Sequence, residues 1–99
     1  MARLIWTDSA LQDLEAIADY IALDKPAAAA RFIRRVFSKV DVLTRFPQIG
    51  SVPSEVADLP YRQLIIPPCR IFYRVDGKTV YIVHVMRGEQ LLKLDKLDR

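Results

Sequence analysis

Hydrophobic and polar positions in the first quarter of the chain predict a strand followed by a helix. Residues 2–6, ARLIW, form a short apolar run with the β-favouring Ile5 and Trp6, and Thr7 is a good helix N-cap. From there apolar residues recur every three to four positions while acidic residues take the other faces. The recurring positions are Leu11, Leu14, Ile17 or Ala18, and Ile21. We therefore predict a helix over about residues 8–23.

A second helix is predicted from the segment that follows. Asp24-Lys25-Pro26 interrupts the first pattern, and proline fits the first turn of a new helix. One apolar ridge then runs to Arg45, where Phe46-Pro47 stops it; its members are Phe32, Val36, Val40 and Leu43, with Ile33 and Phe37 beside them. The two helices are expected to form a hairpin.

Beyond residue 60 the period changes from helical to strand-like. Residues 47–60 hold three of the six prolines, which indicates one substantial loop. Three strand candidates follow at 61–68, 69–77 and 78–85, and Asp76-Gly77 predicts a tight hairpin between the last two. Leucines at positions 91, 94 and 97 predict a short C-terminal helix or a frayed tail.

The element order, β-α-α-β-β-β, predicts an α+β fold in one domain over residues 1–99. We expect a small sheet with a three-stranded antiparallel meander, the helical hairpin over one face, and the other face open. The strand at 78–85 reads as central because both of its alternating sets are largely apolar. For the same reason the sequence does not say which of its sets faces out.

Composition narrows the classes of function. The chain of 99 residues has no apolar run near the ~20 residues of a membrane span, and its start shows no export signal. A single cysteine, Cys69, excludes an internal disulfide and a cysteine-based zinc site. One histidine and three well-separated glycines indicate no metal, nucleotide or organic cofactor. We expect a cytoplasmic protein that does not contact membranes.

Charge is unevenly distributed along the sequence. Residues 8–24 hold five acidic and no basic side chains, and residues 25–45 hold six basic and one acidic, so we expect opposite charges to face each other across the hairpin. A nucleic-acid surface at Arg31, Arg34 and Arg35 is the minority interpretation. Residues 61–99 carry a net charge of +4, which favours an anionic partner.

Strand alternation assigns the cations of the penultimate strand to one face. Cys69, Ile71, Tyr73 and Val75 are predicted to face the core, and Arg70, Phe72 and Arg74 the opposite side. Two arginines flanking a phenylalanine suit phosphate, carboxylate or aromatic partners, because the guanidinium group is planar and donates several hydrogen bonds. Solubilising charge is the equally weighted alternative.

An ordered series of short motifs spans nearly the whole chain. They are Ser9-Ala10, Asp13-Leu14, Ile17, Tyr20-Ile21, Ala29-Ala30-Arg31-Phe32-Ile33, Leu43, Phe46-Pro47, Gly50, Cys69-Arg70-Ile71-Phe72-Tyr73-Arg74-Val75 and His84-Val85-Met86-Arg87. In this order and spacing the sequence resembles the RelE/ParE toxin superfamily of bacterial and archaeal toxin-antitoxin systems. The resemblance implies a small toxin masked by a cognate antitoxin protein, with operator DNA bound only through the antitoxin.

The superfamily implies two different targets. RelE-like members cleave mRNA on the ribosome, whereas ParE-like members inhibit DNA gyrase. Metal-free RNA cleavage needs a base, an acid and cations for the phosphorane charge. By resemblance Arg70 and Arg87 supply the cations, but residues 85–99 contain no histidine or tyrosine to serve as acid or base.

These features favour the ParE-like branch. His84 is interpreted as a structural hydrogen-bonding residue, with catalysis as the alternative, so that a nuclease would use Arg70, His84 and Arg87. We expect no catalytic residue in a gyrase inhibitor. The antitoxin or the target is then expected to contact Arg62, Arg70, Phe72, Arg74 and Arg87. An mRNA endonuclease is the alternative, and a non-toxic antitoxin partner and operon co-repressor is the second.

Overall fold

The computed structural model describes residues 1–88 and Leu97, and it has the predicted α+β architecture. Its elements are β1 (Arg3–Trp6), α1 (Asp8–Ala22), α2 (Pro26–Asp41), a 3-10 turn (Val42–Thr44), a second 3-10 turn (Ser54–Val56), β2 (Arg62–Ile66), β3 (Cys69–Asp76) and β4 (Thr79–Arg87). The predicted C-terminal helix or tail lies outside the described residues, apart from Leu97.

The four strands form one sheet in the order β1-β4-β3-β2. The predicted antiparallel meander β2-β3-β4 is confirmed, and β1 adds to it parallel to β4. The hairpin between β3 and β4 closes at the pair Asp76 and Thr79. Gly77 occupies the turn with φ of 60°, a left-handed conformation that glycine adopts without strain. As predicted, β4 is central.

Local signals in the sequence explain where the helices begin. The Thr7 side chain accepts a hydrogen bond from the Ala10 N–H at 3.1 Å, which caps α1, and Pro26 occupies the first turn of α2. The predicted ridge of α2 is buried. On α1 the buried positions are Ala10 and Leu14, whereas Leu11, the first member of the predicted apolar series, is 41% exposed.

The main hydrophobic core lies between the helical hairpin and the sheet. Both helices contribute to it, as do β2, β3 and β4. Its buried members are Ala10, Leu14, Phe32, Val36, Val40, Leu43, Ile66, Cys69, Ile71, Tyr73, Val80, Ile82 and Val85. We call this the helix-side core. The predicted inward set of β3 is thereby confirmed for Cys69, Ile71 and Tyr73, with Val75 packed at the edge.

The opposite face of the sheet is not open, contrary to the prediction. A second cluster, the outer-face cluster, lies on it: Phe72, Val83 and Met86 of the sheet pack against Val56 and Leu97. Val56 comes from the long loop before β2, so part of that loop folds back over the strands. Phe72 is fully buried there, at 0% exposure. The sheet therefore has apolar material on both faces.

The sequence predicts that opposite charges face each other across the helical hairpin. The ion pairs found within the described part of the chain join Arg70 to Glu55, Arg74 to Asp76 and His84 to Asp13, and none of these joins α1 to α2. The cationic side chains of α2 are exposed, and Arg31 and Arg34 lie opposite its buried ridge. Neither described helix has the length and apolar content that crossing a membrane requires.

Candidate functional site

The arginines predicted to bind a partner lie on two faces of the sheet. Arg62 is opposite Tyr73 and Arg87 is opposite Cys69. Residues opposite each other in an antiparallel pair share a face, so both arginines lie on the helix side. Arg70 and Arg74 lie on the outer face, as predicted. The sequence-predicted residues therefore do not form one continuous binding surface.

Arg70 is occupied by contacts within the chain. Its Nη1 and Nη2 atoms each lie 2.8 Å from a carboxylate oxygen of Glu55, and its Nε donates to Gln63 Oε1 at 2.9 Å. The guanidinium also lies over the Phe72 ring, 4.9 Å from its centroid. With only 13% of its side chain exposed, Arg70 anchors the loop carrying Glu55 to the sheet. The expectation that Arg70 and Phe72 are accessible was wrong.

Arg74 is a more accessible cation of the outer face than Arg70. Its side chain is 37% exposed and its guanidinium lies 4.3 Å from the centroid of the Tyr81 ring. Asp76 approaches it at 3.8 Å, but this carboxylate is 74% exposed. Solvent screens such a pair strongly, so the interaction contributes little to stability. Arg74 is thus available to a partner in a way that Arg70 is not.

Arg62 belongs to a buried polar latch that sequence reasoning missed. Its Nη1 donates to the Gly50 carbonyl at 2.8 Å, and the Gly50 N–H donates to the Tyr73 hydroxyl at 2.9 Å. That hydroxyl in turn donates to the Pro47 carbonyl at 2.8 Å. Burial raises the pKa of the Tyr73 phenol above its ordinary value of 10.0, although the Gly50 N–H and the Arg62 charge act in the opposite direction.

Position 50 requires glycine, because the space beside its Cα is too small for a side chain. A Cβ atom at this position would lie 2.6 Å from the Gln63 carbonyl oxygen and 2.6 Å from the Tyr73 hydroxyl. The signal available in the sequence was a lone tyrosine in an apolar strand set, since a buried tyrosine hydroxyl normally finds a partner.

His84 is placed as a structural hydrogen-bonding residue would be. It is 7% exposed, and its Nδ1 lies 2.7 Å from Asp13 Oδ2. The same carboxylate oxygen accepts from the Val85 N–H at 3.2 Å. The imidazole also stacks on Phe72, with ring centroids 5.8 Å apart. Asp13 thus links α1 to β4 by hydrogen bonds at His84 and Val85, just after the residues of β4 that pair with β1.

The structure brings Arg87 next to exposed apolar surface on α1. Its guanidinium lies 5.3 Å from the centroid of the Tyr20 ring. These two residues, with Ala16 and Ile17, line a depression of 250 Å³, which we call the α1 groove. Tyr20 is 63% exposed and Leu23, one turn further along, is 85% exposed. Exposed apolar side chains beside an arginine are typical of protein-binding surfaces.

Residues 1–88 hold no group of three or more His, Cys, Asp or Glu side chains that is placed to bind a metal ion. Cys69 is buried in the helix-side core.

Comparisons with known proteins identify the family. The family described as "ParE toxin of type II toxin-antitoxin system, parDE" matches residues 4–92. Toxin RelE2 of Caulobacter vibrioides is 37% identical over 92 residues, which is 92% of this chain and 100% of that protein.

Two solved structures resemble the fold. A structure described as the chromosomal ParDE TA system from P. aeruginosa superposes with a TM-score of 0.78 at 31% identity, covering 90% of this chain and 98% of the other. The toxin-antitoxin complex RelBE2 from Mycobacterium tuberculosis superposes with a TM-score of 0.58 at 21% identity, covering 87% of this chain and 96% of the other. At this identity the match supports a shared fold and nothing more. The chain therefore belongs to the ParE toxin family of type II toxin-antitoxin systems, within the RelE/ParE superfamily.

Proposed function

We propose that this toxin acts by binding DNA gyrase and that a cognate antitoxin neutralises it. The observation that carries the proposal is the position of Arg70, the sheet arginine that an RNA-cleaving relative would use. Its three guanidinium nitrogens are bound to Glu55 and Gln63 within the chain. A cation held in this way is not available to a scissile phosphate.

Arg87, the second cation of a nuclease site, does not converge with Arg70. Arg87 lies on the helix side of the sheet, whereas Arg70 lies on the outer face, as their strand partners show. His84 is buried, with its Nδ1 on Asp13 and its ring on Phe72. Phosphoryl transfer requires the acid, base and cations to surround one reacting phosphate. The described residues therefore favour an inhibitor that acts by binding.

The α1 groove is the surface that we assign to gyrase. It combines the exposed Tyr20 with the Arg87 guanidinium, and the exposed Leu23 lies one turn further along the chain. Aromatic and arginine side chains account for much of the binding energy in protein interfaces, because they bury a large area and still form polar contacts. Arg62 and Arg74 remain proposed contacts for the antitoxin or the target.

The antitoxin is inferred from the relatives. The P. aeruginosa structure with 31% identity is a ParDE toxin-antitoxin system, and the M. tuberculosis structure is a toxin-antitoxin complex. A partner of that kind is expected to bind this chain and to carry the contacts to operator DNA.

A supercoiling assay tests the proposal. Purified toxin is expected to inhibit gyrase, and the antitoxin encoded beside it is expected to restore activity. Tyr20→Ala combined with Arg87→Glu is expected to raise the inhibitory concentration by about tenfold or more, because it removes both anchors of the groove. Arg3→Glu, an exposed arginine on β1, makes a similar charge change elsewhere and serves as the control.

The competing function is that of a ribosome-dependent mRNA endonuclease. The name of the 37% identical relative, Toxin RelE2, is consistent with this alternative. Normal gyrase activity at saturating toxin, together with new mRNA ends in translating extracts, would establish it instead. If the toxin affects neither process, it serves only as an antitoxin partner and co-repressor.

A further inference from the structure

The outer edge of β2 includes one residue, Ile65, whose backbone groups pair with no described residue. The strand order makes β2 an edge of the sheet. On its free side the Gln63 N–H donates to the Ser51 carbonyl at 2.7 Å, and the Ser51 N–H donates to the Gln63 carbonyl at 3.0 Å. Backbone groups of an antiparallel strand point alternately to its two sides. The N–H and C=O of Ile65, two residues further on, therefore point to the same free side.

No described residue forms a backbone hydrogen bond with Ile65 on that side. The only backbone pair across this edge within residues 1–88 is the isolated bridge of Ser51 with Gln63. The N–H donor and the C=O acceptor of Ile65 are therefore placed to pair with an added strand that would extend past Ser51 along the edge of β2. Natural sheets commonly protect such edges with lysine, proline or a bulge. Here the exposed position is an isoleucine that is 57% accessible to solvent.

The side chains around this edge form an apolar trough. It has a volume of 190 Å³ and lies between the end of α2 and β2. Its lining consists of Lys39, Val42, Ile49, Leu64, Ile65 and Ile66. Ile49 is 60% exposed and Val42 is 42% exposed, so the trough offers apolar contacts directly beside the unpaired backbone.

Cations flank the trough and restrict what can bind in it. Lys39 lines it, and Arg35 donates from Nη2 to the Pro67 carbonyl at 2.6 Å, immediately after β2. Residues 25–45 contain six basic side chains and one acidic one. A second copy of this chain would bring the same cations to the edge and be repelled. A segment bearing carboxylates would be attracted.

We propose that an extended segment of a protein partner, with apolar residues alternating with carboxylates, adds to β2 as a fifth strand. Its backbone pairs with the N–H and C=O of Ile65, its apolar side chains enter the trough, and its carboxylates meet Lys39 and Arg35. This inference rests on the proposed function, since the antitoxin is the partner that supplies the segment.

A proline substitution separates the backbone contact from the side-chain contact. The Ile65 N–H points away from β3, so Ile65→Pro removes no bond of the sheet, and proline is tolerated on edge strands in this orientation. We expect Ile65→Pro to weaken binding of the antitoxin by about tenfold or more. Ile65→Val keeps the N–H and the β-branched shape, and is expected to change the affinity less than about threefold.

The measurements are the dissociation constant by titration calorimetry and amide hydrogen exchange by NMR on the full-length toxin. In the complex the Ile65 amide is expected to exchange at least about tenfold more slowly than in the free toxin. Circular dichroism and the thermal midpoint verify that Ile65→Pro is folded. Should that variant be unfolded, the exchange of the wild-type Ile65 amide decides alone.

The possible failures are distinguishable. Unchanged exchange at Ile65 in a stable complex overturns the strand addition and leaves the proposed function intact. If no complex forms with the antitoxin, the neutralisation part of the proposed function fails with it. A concentration-dependent dimer of free toxin that Ile65→Pro abolishes would identify a second copy as the occupant and overturn the acidic segment.

Discussion

Tyr73 shows how one side chain fixes a loop to the sheet. Its hydroxyl accepts from the Gly50 N–H and donates to the Pro47 carbonyl, and the ring is part of the helix-side core. Removing the oxygen leaves both backbone groups without this partner in a buried setting. Such groups cost more when unsatisfied than their hydrogen bonds contribute when made.

We predict that Tyr73→Phe lowers the free energy of unfolding by about 1–3 kcal/mol. The ring and its packing are retained, so the loss reports the hydroxyl alone. Urea unfolding monitored by circular dichroism measures it. Tyr20→Phe is the control, because that tyrosine is 63% exposed, and it is expected to change stability by less than about 0.5 kcal/mol. Equal effects of the two substitutions would contradict the latch.

The same residue predicts a loss of stability at alkaline pH. Burial raises the pKa of the Tyr73 phenol, so above the ordinary value of 10.0 the unfolded chain loses this proton before the folded protein does. Stability from this group is complete below pH 10.0 and falls as the pH rises through the folded value. Tyr73→Phe is expected to show a shallower decline than the wild type over that range.

At the scale of elements, the loop before β2 is held against β3 by a salt bridge within the outer face. Arg70 and Glu55 form two charge-assisted hydrogen bonds, and their side chains are 13% and 28% exposed. Bidentate pairs with limited exposure interact more strongly than single contacts in solvent. This pair therefore stabilises the packing of the loop segment around Val56 on Phe72 and the rest of the outer-face cluster.

We predict a coupling energy of about 1–2 kcal/mol between Arg70 and Glu55. Arg70→Met and Glu55→Gln, singly and together, form the double-mutant cycle, and chemical denaturation measures the four stabilities. The pair Arg74 and Asp76, at 3.8 Å and more exposed, provides the matched control. Its coupling is expected to stay below about 0.5 kcal/mol. A larger coupling in the control pair would refute our assignment of the loop anchor.

Periodicity predicted the elements because each depends on neighbours along the chain. The outer-face cover was not predictable in this way, since residues 47–60 have no repeating pattern and Val56 packs on residues of β3 and β4. Alternation correctly gave the side on which Phe72 lies, but it carries no information about whether that side is covered.

The β4 strand shows a second limit of pattern reasoning. The register of β3 with β4 shifts between Phe72 and Tyr73. Phe72 pairs with His84 and Tyr73 pairs with Ile82, so Val83 of β4 has no partner residue on β3. This bulge changes the phase of the strand, so Ile82 and Val85 both reach the helix-side core while Val83 faces outward. Neither alternating set faces one way throughout, which is why the sequence did not distinguish them.

At the scale of the whole molecule, positive charge is concentrated on α2, where no carboxylate of the described residues pairs with Arg31 or Arg34. The exposed face of α2 carries Arg31 and Arg34, and neither forms an ion pair within the described residues. The trough beside β2 lies along the same helix. An acidic partner approaching that trough therefore passes through a positive field before it makes any contact.

This arrangement predicts that α2 accelerates antitoxin binding without contributing much to the lifetime of the complex. Arg31→Glu with Arg34→Glu is expected to lower the association rate constant about tenfold at about 0.05 M salt, and the difference should largely disappear at about 1 M salt. The dissociation rate should change little, because these side chains lie outside the trough.

Arg3→Glu with Lys78→Glu makes the same change in net charge at the opposite edge of the sheet. Stopped-flow or surface-plasmon kinetics separate the two rates. If both double variants slow association equally, net charge alone steers the partner; a slower rate only for the α2 variant means that the position of the charge directs the antitoxin to this side of the toxin.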